Sequence, residues 1–246
     1  MVTVERIKLL TILKAIYAVV PECRMHLVKE GMRSISVDFA NVCIVRIFLP
    51  KVQITAYSTQ EQPLGIDTGK LKTAISVISS ESVILSISKG NKIDIVGEGS
   101  GYKMINIDER EIRKDPREPK LEEPDNIITI PGPILSKNIN DACNFGEHVQ
   151  FHISKDRLAL ATGTDETQWV SEIKGVSVKS KESTSTILSL DYLKDFGKIF
   201  ADAEVVRISA KTDYVMVFEC TINHVQITYL IAPRIPEAKE FWQVDL

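Results

Sequence analysis

The chain repeats itself, and that constrains its fold more than any other feature. Arg24-Met25-His26-Leu27-Val28-Lys29-Glu30-Gly31-Met32 and Gln150-Phe151-His152-Ile153-Ser154-Lys155-Asp156-Arg157-Leu158 both read as an alternating strand, a Lys-acid turn and a second strand, 126 residues apart. A helical stretch precedes each, over 6–20 and over 134–145. A second echo follows. Leu64-Gly65-Ile66-Asp67, a helix over 69–79 and a strand over 82–88 match Leu188-Ser189-Leu190-Asp191, a helix over 192–200 and a strand over 203–209, at an offset of 122 to 124. Two matches near half the length of a 246-residue chain predict an internal duplication into two domains of about 120 residues.

Between the halves, 108–126 holds three prolines, eight acids and five bases, with Ile112 and Leu121 as its only apolar residues. Proline removes backbone donors and favours extended chain, so this segment reads as a surface linker between domains at 1–107 and 127–246. β-Branched alternation at 44–49, 83–87, 93–96 and 215–218 fills the remainder with strands. The expected fold class is α+β: two similar domains, each with two helices packed on antiparallel sheets.

No apolar run reaches the roughly 18 residues of a membrane span; 9–20 is broken by Thr11 and Lys14. The start Met1-Val2-Thr3-Val4-Glu5-Arg6 lacks the pattern of a signal peptide, so a soluble intracellular protein is expected. The cysteines at 23, 43, 143 and 220 form no CxxC and read as reduced core thiols.

Charge is informative through its distribution. The chain carries −3 overall, yet Arg6, Lys8, Lys14, Lys70, Lys72, Lys137, Lys194 and Lys198 face only Asp141, Asp191 and Asp195 within the helices. Each helix pairs an apolar side with a lysine-bearing one. On the first, Leu9, Leu10, Ile12, Leu13, Ile16 and Val19 oppose Lys8, Thr11, Ala15 and Ala18, with Lys14 alongside. The others set Leu71, Ile75 and Ile78 against Lys70, Lys72 and Ser76; Leu135, Ile139 and Ala142 against Lys137, Asn140 and Asn144; and Leu193, Phe196 and Ile199 against Lys194 and Lys198. A single lysine reads equally well as a solubilising residue. The set reads as a surface for duplex phosphates, without the aromatic platform of single-strand binders.

Catalytic patterns fail. His148 and His152 have HxxxH spacing on a strand, where the two side chains stand roughly 13 Å apart. Gly97-Glu98-Gly99-Ser100-Gly101 leads into another strand and reads as a hairpin, with no helix N-terminus for a phosphate. GxSxG, HExxH and P-loop motifs are missing, so neither an enzyme nor a cofactor or metal site is expected. A metal-dependent hydrolase using His148, His152 and linker acids is the remote alternative.

Tyr229-Leu230-Ile231-Ala232-Pro233-Arg234-Ile235 resembles the C-terminal Tyr-Leu-Ala-Pro-Lys/Arg signature of proliferating cell nuclear antigen (PCNA) clamps. Val37-Asp38-Phe39-Ala40-Asn41-Val42-Cys43-Ile44-Val45, Leu190-Asp191-Tyr192-Leu193-Lys194-Asp195 and the linker are similar to that family too, in an archaeal style of wording. The resemblance implies a DNA polymerase sliding clamp. Three subunits would close a homotrimeric ring around duplex DNA, giving processivity and recruiting DNA polymerase, clamp loader, flap endonuclease and ligase in replication and repair.

Carried over residue by residue, the DNA-facing set is Arg6, Lys8, Lys14, Lys70, Lys72, Lys137, Asn140, Lys194 and Lys198. The partner-peptide pocket is Val37, Val42, Ile44, Leu121, Tyr214, Leu230, Ala232 and Pro233, although Val42 and Ile44 also suit an ordinary strand core. The subunit interface is Tyr102, Met104 and Ile105 against Gln168, Val170 and Glu172 of a neighbour, as 101–107 meeting 168–174. Thr73, Ser76 and Asn140 stand where the family is usually basic, which implies a weaker DNA surface. Localisation with the chromosome in an archaeal cytoplasm follows from the resemblance. The alternatives are one subunit of a heterotrimer, or a scaffold that does not encircle DNA. The tail 236–246, with Phe241 and Trp242, reads as packing back on the body, self-associating or mimicking a partner.

Overall fold

A computed structural model describes residues 1–59, 63–164 and 166–234; the expectations for the tail 236–246 lie outside them. Two compact units emerge, one from Met1–Glu118 with Ile222–Ile227, the other from Pro119–Thr221 with the chain from Thr228 onward.

The first unit runs β1 (Val2–Glu5), α1 (Arg6–Tyr17), β2 (Glu22–Val28), β3 (Gly31–Val37), β4 (Cys43–Pro50), β5 (Ala56–Tyr57), β6 (Leu64–Asp67), α2 (Thr68–Val77), β7 (Ser82–Ser88), β8 (Lys92–Gly97) and β9 (Ser100–Ile105). A five-stranded sheet has the order β5-β1-β7-β8-β9, and β6, β2, β3 and β4 pair in that order, all antiparallel. The hairpin expected at 97–101 forms with Gly97 opposite Ser100.

The second unit repeats this plan with β10 (Asn126–Pro131), α3 (Gly132–Ala142), β11 (His148–Ser154), β12 (Arg157–Gly163), β13 (Gln168–Ile173), β14 (Ser177–Ser180), β15 (Thr184–Ser189), α4 (Leu190–Phe200), β16 (Val205–Ala210), β17 (Met216–Ile222) and β18 (Val225–Ile231). Its strands order as β14-β10-β16-β17-β18 and β13-β12-β11-β15. The fold is therefore α+β and duplicated, as the sequence predicts.

The first echo holds residue for residue, since β2 and β3 become β11 and β12 under a shift of 126. The second needs a correction. Asp67 and Ser189 are the equivalent helix caps, so the offset there is 122; Asp67 accepts from the Lys70 amide and Ser189 from the Asp191 amide. Aligning Asp67 with Asp191 confused a cap with a first-turn residue, because both are polar groups that accept amides at a helix start.

Each core follows from alternation. On β4, Cys43, Val45, Ile47 and Leu49 point inward and are buried. The helices place Leu9, Ile12, Leu13 and Ile16 in the first core, and Leu193, Phe196 and Phe200 in the second. Cys23, Cys43 and Cys220 are buried free thiols, with Cys23 and Cys220 pushed up to about 12 by desolvation; Cys143 is only half-buried, because it caps α3 rather than facing the core. No helix among the described residues is long and apolar enough to cross a membrane.

Candidate interaction surfaces

The helices pair within each unit, α1 on α2 and α3 on α4. Lys14, Lys70, Lys137, Asn140, Lys194 and Lys198 are exposed, and Arg6 and Lys72 are half-buried. Lys8 departs from the expected strip. It is 5% exposed, and its ammonium is held by Glu5 at 2.6 Å, the Gln53 carbonyl at 3.2 Å and Gln53 Oε1 at 3.1 Å. Thr11 is buried beside it, receiving a bond from Asn223 at 3.0 Å, and Ala15 is buried too. The strip that looked polar in α1 is therefore an inner one, covered by groups distant in sequence.

The helix lysines are not bare. Lys70 meets Asp67 at 2.9 Å, Lys137 meets Asp141 at 2.5 Å, Lys194 meets Asp191 at 2.7 Å and Lys198 meets Asp195 at 2.6 Å. Two of the neutralising acids, Glu5 and Asp67, sit just before a helix, so counting acids inside helices overstated the positive charge. Lys72 instead stands 4.0 Å over the Tyr17 ring, a cation–π contact that leaves its charge uncompensated. Exposed pairs of this kind bind weakly and exchange with solvent ions.

Two of the end strands carry the expected interface residues. β9 closes one side of its five-stranded sheet with Tyr102 and Ile105 exposed, Ile105 by 70%; Met104 turns inward and is buried. β13 closes one side of β13-β12-β11-β15 and exposes Gln168, Val170 and Glu172. Each has a neighbouring strand on one side only among the described residues and exposes apolar side chains, the arrangement that edge strands normally avoid.

The expected pocket residues divide between the units. In the first, the Asp38 carboxylate accepts the Val42 and Cys43 amides at 2.8 Å and the Ala40 amide at 3.1 Å. This tight turn pushes Phe39 out to 85% exposure. Ile44 is half-buried on the side of β4 opposite its core residues, and Val42 is half-buried just before the strand begins. Val37, Phe39, Val20 and Ile112 line a small cavity of about 90 Å³. In the second unit, Leu121 and Tyr214 come together in a groove of about 210 Å³ over Ser209, Val215 and Val217. The Tyr214 hydroxyl accepts from the Glu122 amide at 3.2 Å, and Lys211 holds Glu122 at 2.6 Å, so the linker is fastened over β16 and β17. Leu230 is buried, and Ala232 and Pro233 are half-buried.

Sequence reasoning assigned no role to the groups that hold the linker. Arg24 donates to the carbonyls of Glu109 and Ile112, Arg113 to Asp38 and Asn41, and His26 Nε2 meets Asp115 at 2.6 Å. The signal for this in the sequence was Ile112, one of two apolar residues in a charged stretch. His148 and His152 lie on β11 as expected, and no metal-ligating cluster exists among the described residues.

Among the described residues, a duplicated arrangement of two α-helices and nine strands per repeat defines a PCNA-like fold. A solved structure described as the C-terminal region of FEN-1 bound to A. fulgidus PCNA superposes with a TM-score of 0.87 at 27% identity, over 96% of this chain and 100% of that one. PCNA from Entamoeba histolytica shares the fold with a TM-score of 0.85 at 15% identity. No family model matches the chain. DNA polymerase sliding clamps of Methanospirillum hungatei and Archaeoglobus fulgidus are 32% and 31% identical, over 90% and 92% of this chain and 92% and 94% of those proteins. The chain belongs to the DNA polymerase sliding clamp family.

Proposed function

We propose that three copies of this chain close a ring around duplex DNA, with domains 1–107 and 127–246 and the linker 108–126 repeated three times. The pair of open edges, one in each repeat, carries this reading. β9 of one copy laid antiparallel to β13 of the next would satisfy both backbone rows and cover Tyr102, Ile105 and Val170 together. Closure would hold DNA topologically, so the protein needs no chemistry and no tight grip. Lysines already paired with acids suit that role, because weak, salt-sensitive phosphate contacts permit sliding.

A ring of this kind serves as a processivity factor for a polymerase in an archaeal cytoplasm, working with the chromosome. Its loader, flap endonuclease and ligase would dock through short peptides anchored at the groove of Leu121 and Tyr214. The A. fulgidus PCNA bound to the C-terminal region of FEN-1 supports this mode of recruitment.

Light scattering on the purified chain tests the ring. A mass three times 27.5 kDa is expected, and Ile105→Asp, which places a charge on the open edge, should return a single-copy mass with the fold intact. A wild-type monomer would overturn the self-sufficient ring and direct attention to a heterotrimer. The DNA-facing reading has its own test in Lys194→Glu combined with Lys198→Glu. Clamp-dependent synthesis should fall while the trimeric mass stays; unchanged synthesis at moderate salt would refute it.

A further inference from the structure

Backbone direction limits how β9 and β13 can meet. The Asn106 amide donates to the Asn91 carbonyl at 3.0 Å, so even-numbered residues along β9 turn their backbone groups toward β8. Gly101, Lys103 and Ile105 turn theirs the other way. On β13 the Thr164 amide donates to the Thr167 carbonyl at 2.7 Å, so odd-numbered residues face β12, and Val170 and Glu172 face outward from the sheet.

Side-chain direction adds the same condition. Tyr102 lies on the helix side of β9, beside Lys70 and Val77 of α2, and Met104 is buried on that side; Lys103 and Ile105 lie on the outer side. Ser171 of β13 reaches Asn138 of α3 at 2.8 Å, which puts Val170 and Glu172 on the outer side as well. Pairing odd residues of β9 with even residues of β13 therefore keeps the helices of two copies on one side of a continuous sheet.

One register meets this condition and also matches charge and apolarity. It sets Ile105 opposite Val170 and Lys103 opposite Glu172. Sliding β13 by two residues in one direction would put Ile105 on Gln168 and Lys103 on Val170. Sliding it in the other would put Ile105 on Glu172 and Lys103 on Lys174, a like-charge pair. The matched register also completes rows that each copy begins. Asp94 meets Lys103 at 3.5 Å across β8 and β9, and Arg157 of β12 approaches Glu172 at 4.0 Å. Joined, the outer face reads Asp94, Lys103, Glu172, Arg157, with alternating sign. The helix-side row reads Ile95, Tyr102, Ile173, Leu158, apolar throughout.

We propose that this chain selects its own copies as ring neighbours, by pairing β9 with β13 in the register that sets Ile105 on Val170 and Lys103 on Glu172. The pairing rests on the ring reading above and goes further, because the chain carries both halves of the match and needs no unlike subunit. Lys103 with Glu172 is the contact that discriminates. A neighbour with a base in the place of Glu172 would set like charges directly opposite each other, which a sheet resists.

Cross-linking and charge reversal test it in the full chain. With oxidised glutathione, Ile105→Cys combined with Val170→Cys should link copies into covalent trimers, several-fold faster than Ile105→Cys combined with Gln168→Cys. Lys103→Glu and Glu172→Lys should each raise the concentration at which the trimer dissociates by about tenfold. Both reversals in one chain should return it close to the wild-type value, a rescue that also shows the variants fold. A trimeric wild type that links faster through 168, or a double reversal without rescue, would overturn the register and leave the ring standing. A wild-type monomer would overturn both.

Discussion

The two units share a topology and differ in what fills it. The first core is aliphatic, built from Leu9, Ile12, Leu13, Ile16, Met25, Met32 and Leu49, with no aromatic ring among its buried described residues. The second is built around Phe151, Phe196, Phe200, Phe218 and Tyr229. Phe196 stacks on Tyr229 with centroids 4.0 Å apart, and Phe218 touches both Phe151 at 6.1 Å and Phe200 at 5.7 Å. The same pairing of helices and strands survives because it depends on where apolar residues recur, while residue identity only tunes packing.

That contrast predicts the largest effect. In the aromatic core one ring bridges three elements, so Phe218→Ala should destabilise by about 3–5 kcal/mol. Leu13→Ala in the aliphatic core should cost about 2–5 kcal/mol, toward the low end where neighbouring methyls can relax into the space. Chemical denaturation measures both. Equal losses would mean that the rings add nothing beyond their volume.

A second contrast lies at Gly65 and Ile187. Both carbonyls accept an amide from the chain leaving the last strand of their unit, yet only Gly65 is pressed by the incoming backbone. A Cβ built there would lie 2.0 Å from the Ile107 carbonyl oxygen. Gly65→Ala should therefore cost about 1–3 kcal/mol and release the start of the linker, seen as faster amide exchange at Ile107. Ile187→Ala, its counterpart, should leave the Arg234 amide protected. Unchanged exchange at Ile107 would show that the linker can shift by an ångström without detaching.

These pairs mark what the sequence displays and what it hides. The duplication is legible because hairpins keep a strict two-residue period, so β2–β3 and β11–β12 align without a gap. The second echo slips by two because Asp67 and Ser189 do one job with different side chains. Lys8 is misplaced for another reason: Gln53 holds it, and Asn223 covers its neighbour Thr11, from far along the chain, and no local period encodes them. The open edges at β9 and β13 came from family resemblance, since alternation alone does not reveal which strand lacks a neighbour. Phe39 is turned outward by the local Asp38 turn, whereas the linker clasp of Arg24, His26 and Arg113 depends on contacts across more than 70 residues of sequence.

The smallest expected effect separates the two helix starts. Burial tends to raise the Asp67 carboxyl, but the backbone and side-chain bonds from Lys70 outweigh it and hold the pKa below its usual 3.8. Asp191 is also held low, chiefly by the Lys194 side chain. A carboxyl with a folded pKa below its unfolded one adds stability that is complete above the unfolded value and is lost as pH falls through the folded one. Both aspartates therefore steepen acid unfolding below about pH 4, and salt should flatten the Asp191 share more because that carboxylate is the more exposed. Asp67→Asn keeps a capping oxygen and removes only the charge, so its loss at neutral pH should be slight. Asp191→Asn should cost less still, and it frees Lys194 from its acid. The variant that least disturbs the fold should then bind duplex DNA more tightly at low salt, with a steeper salt dependence. Unaltered DNA binding would mean that Lys194 does not reach the phosphates.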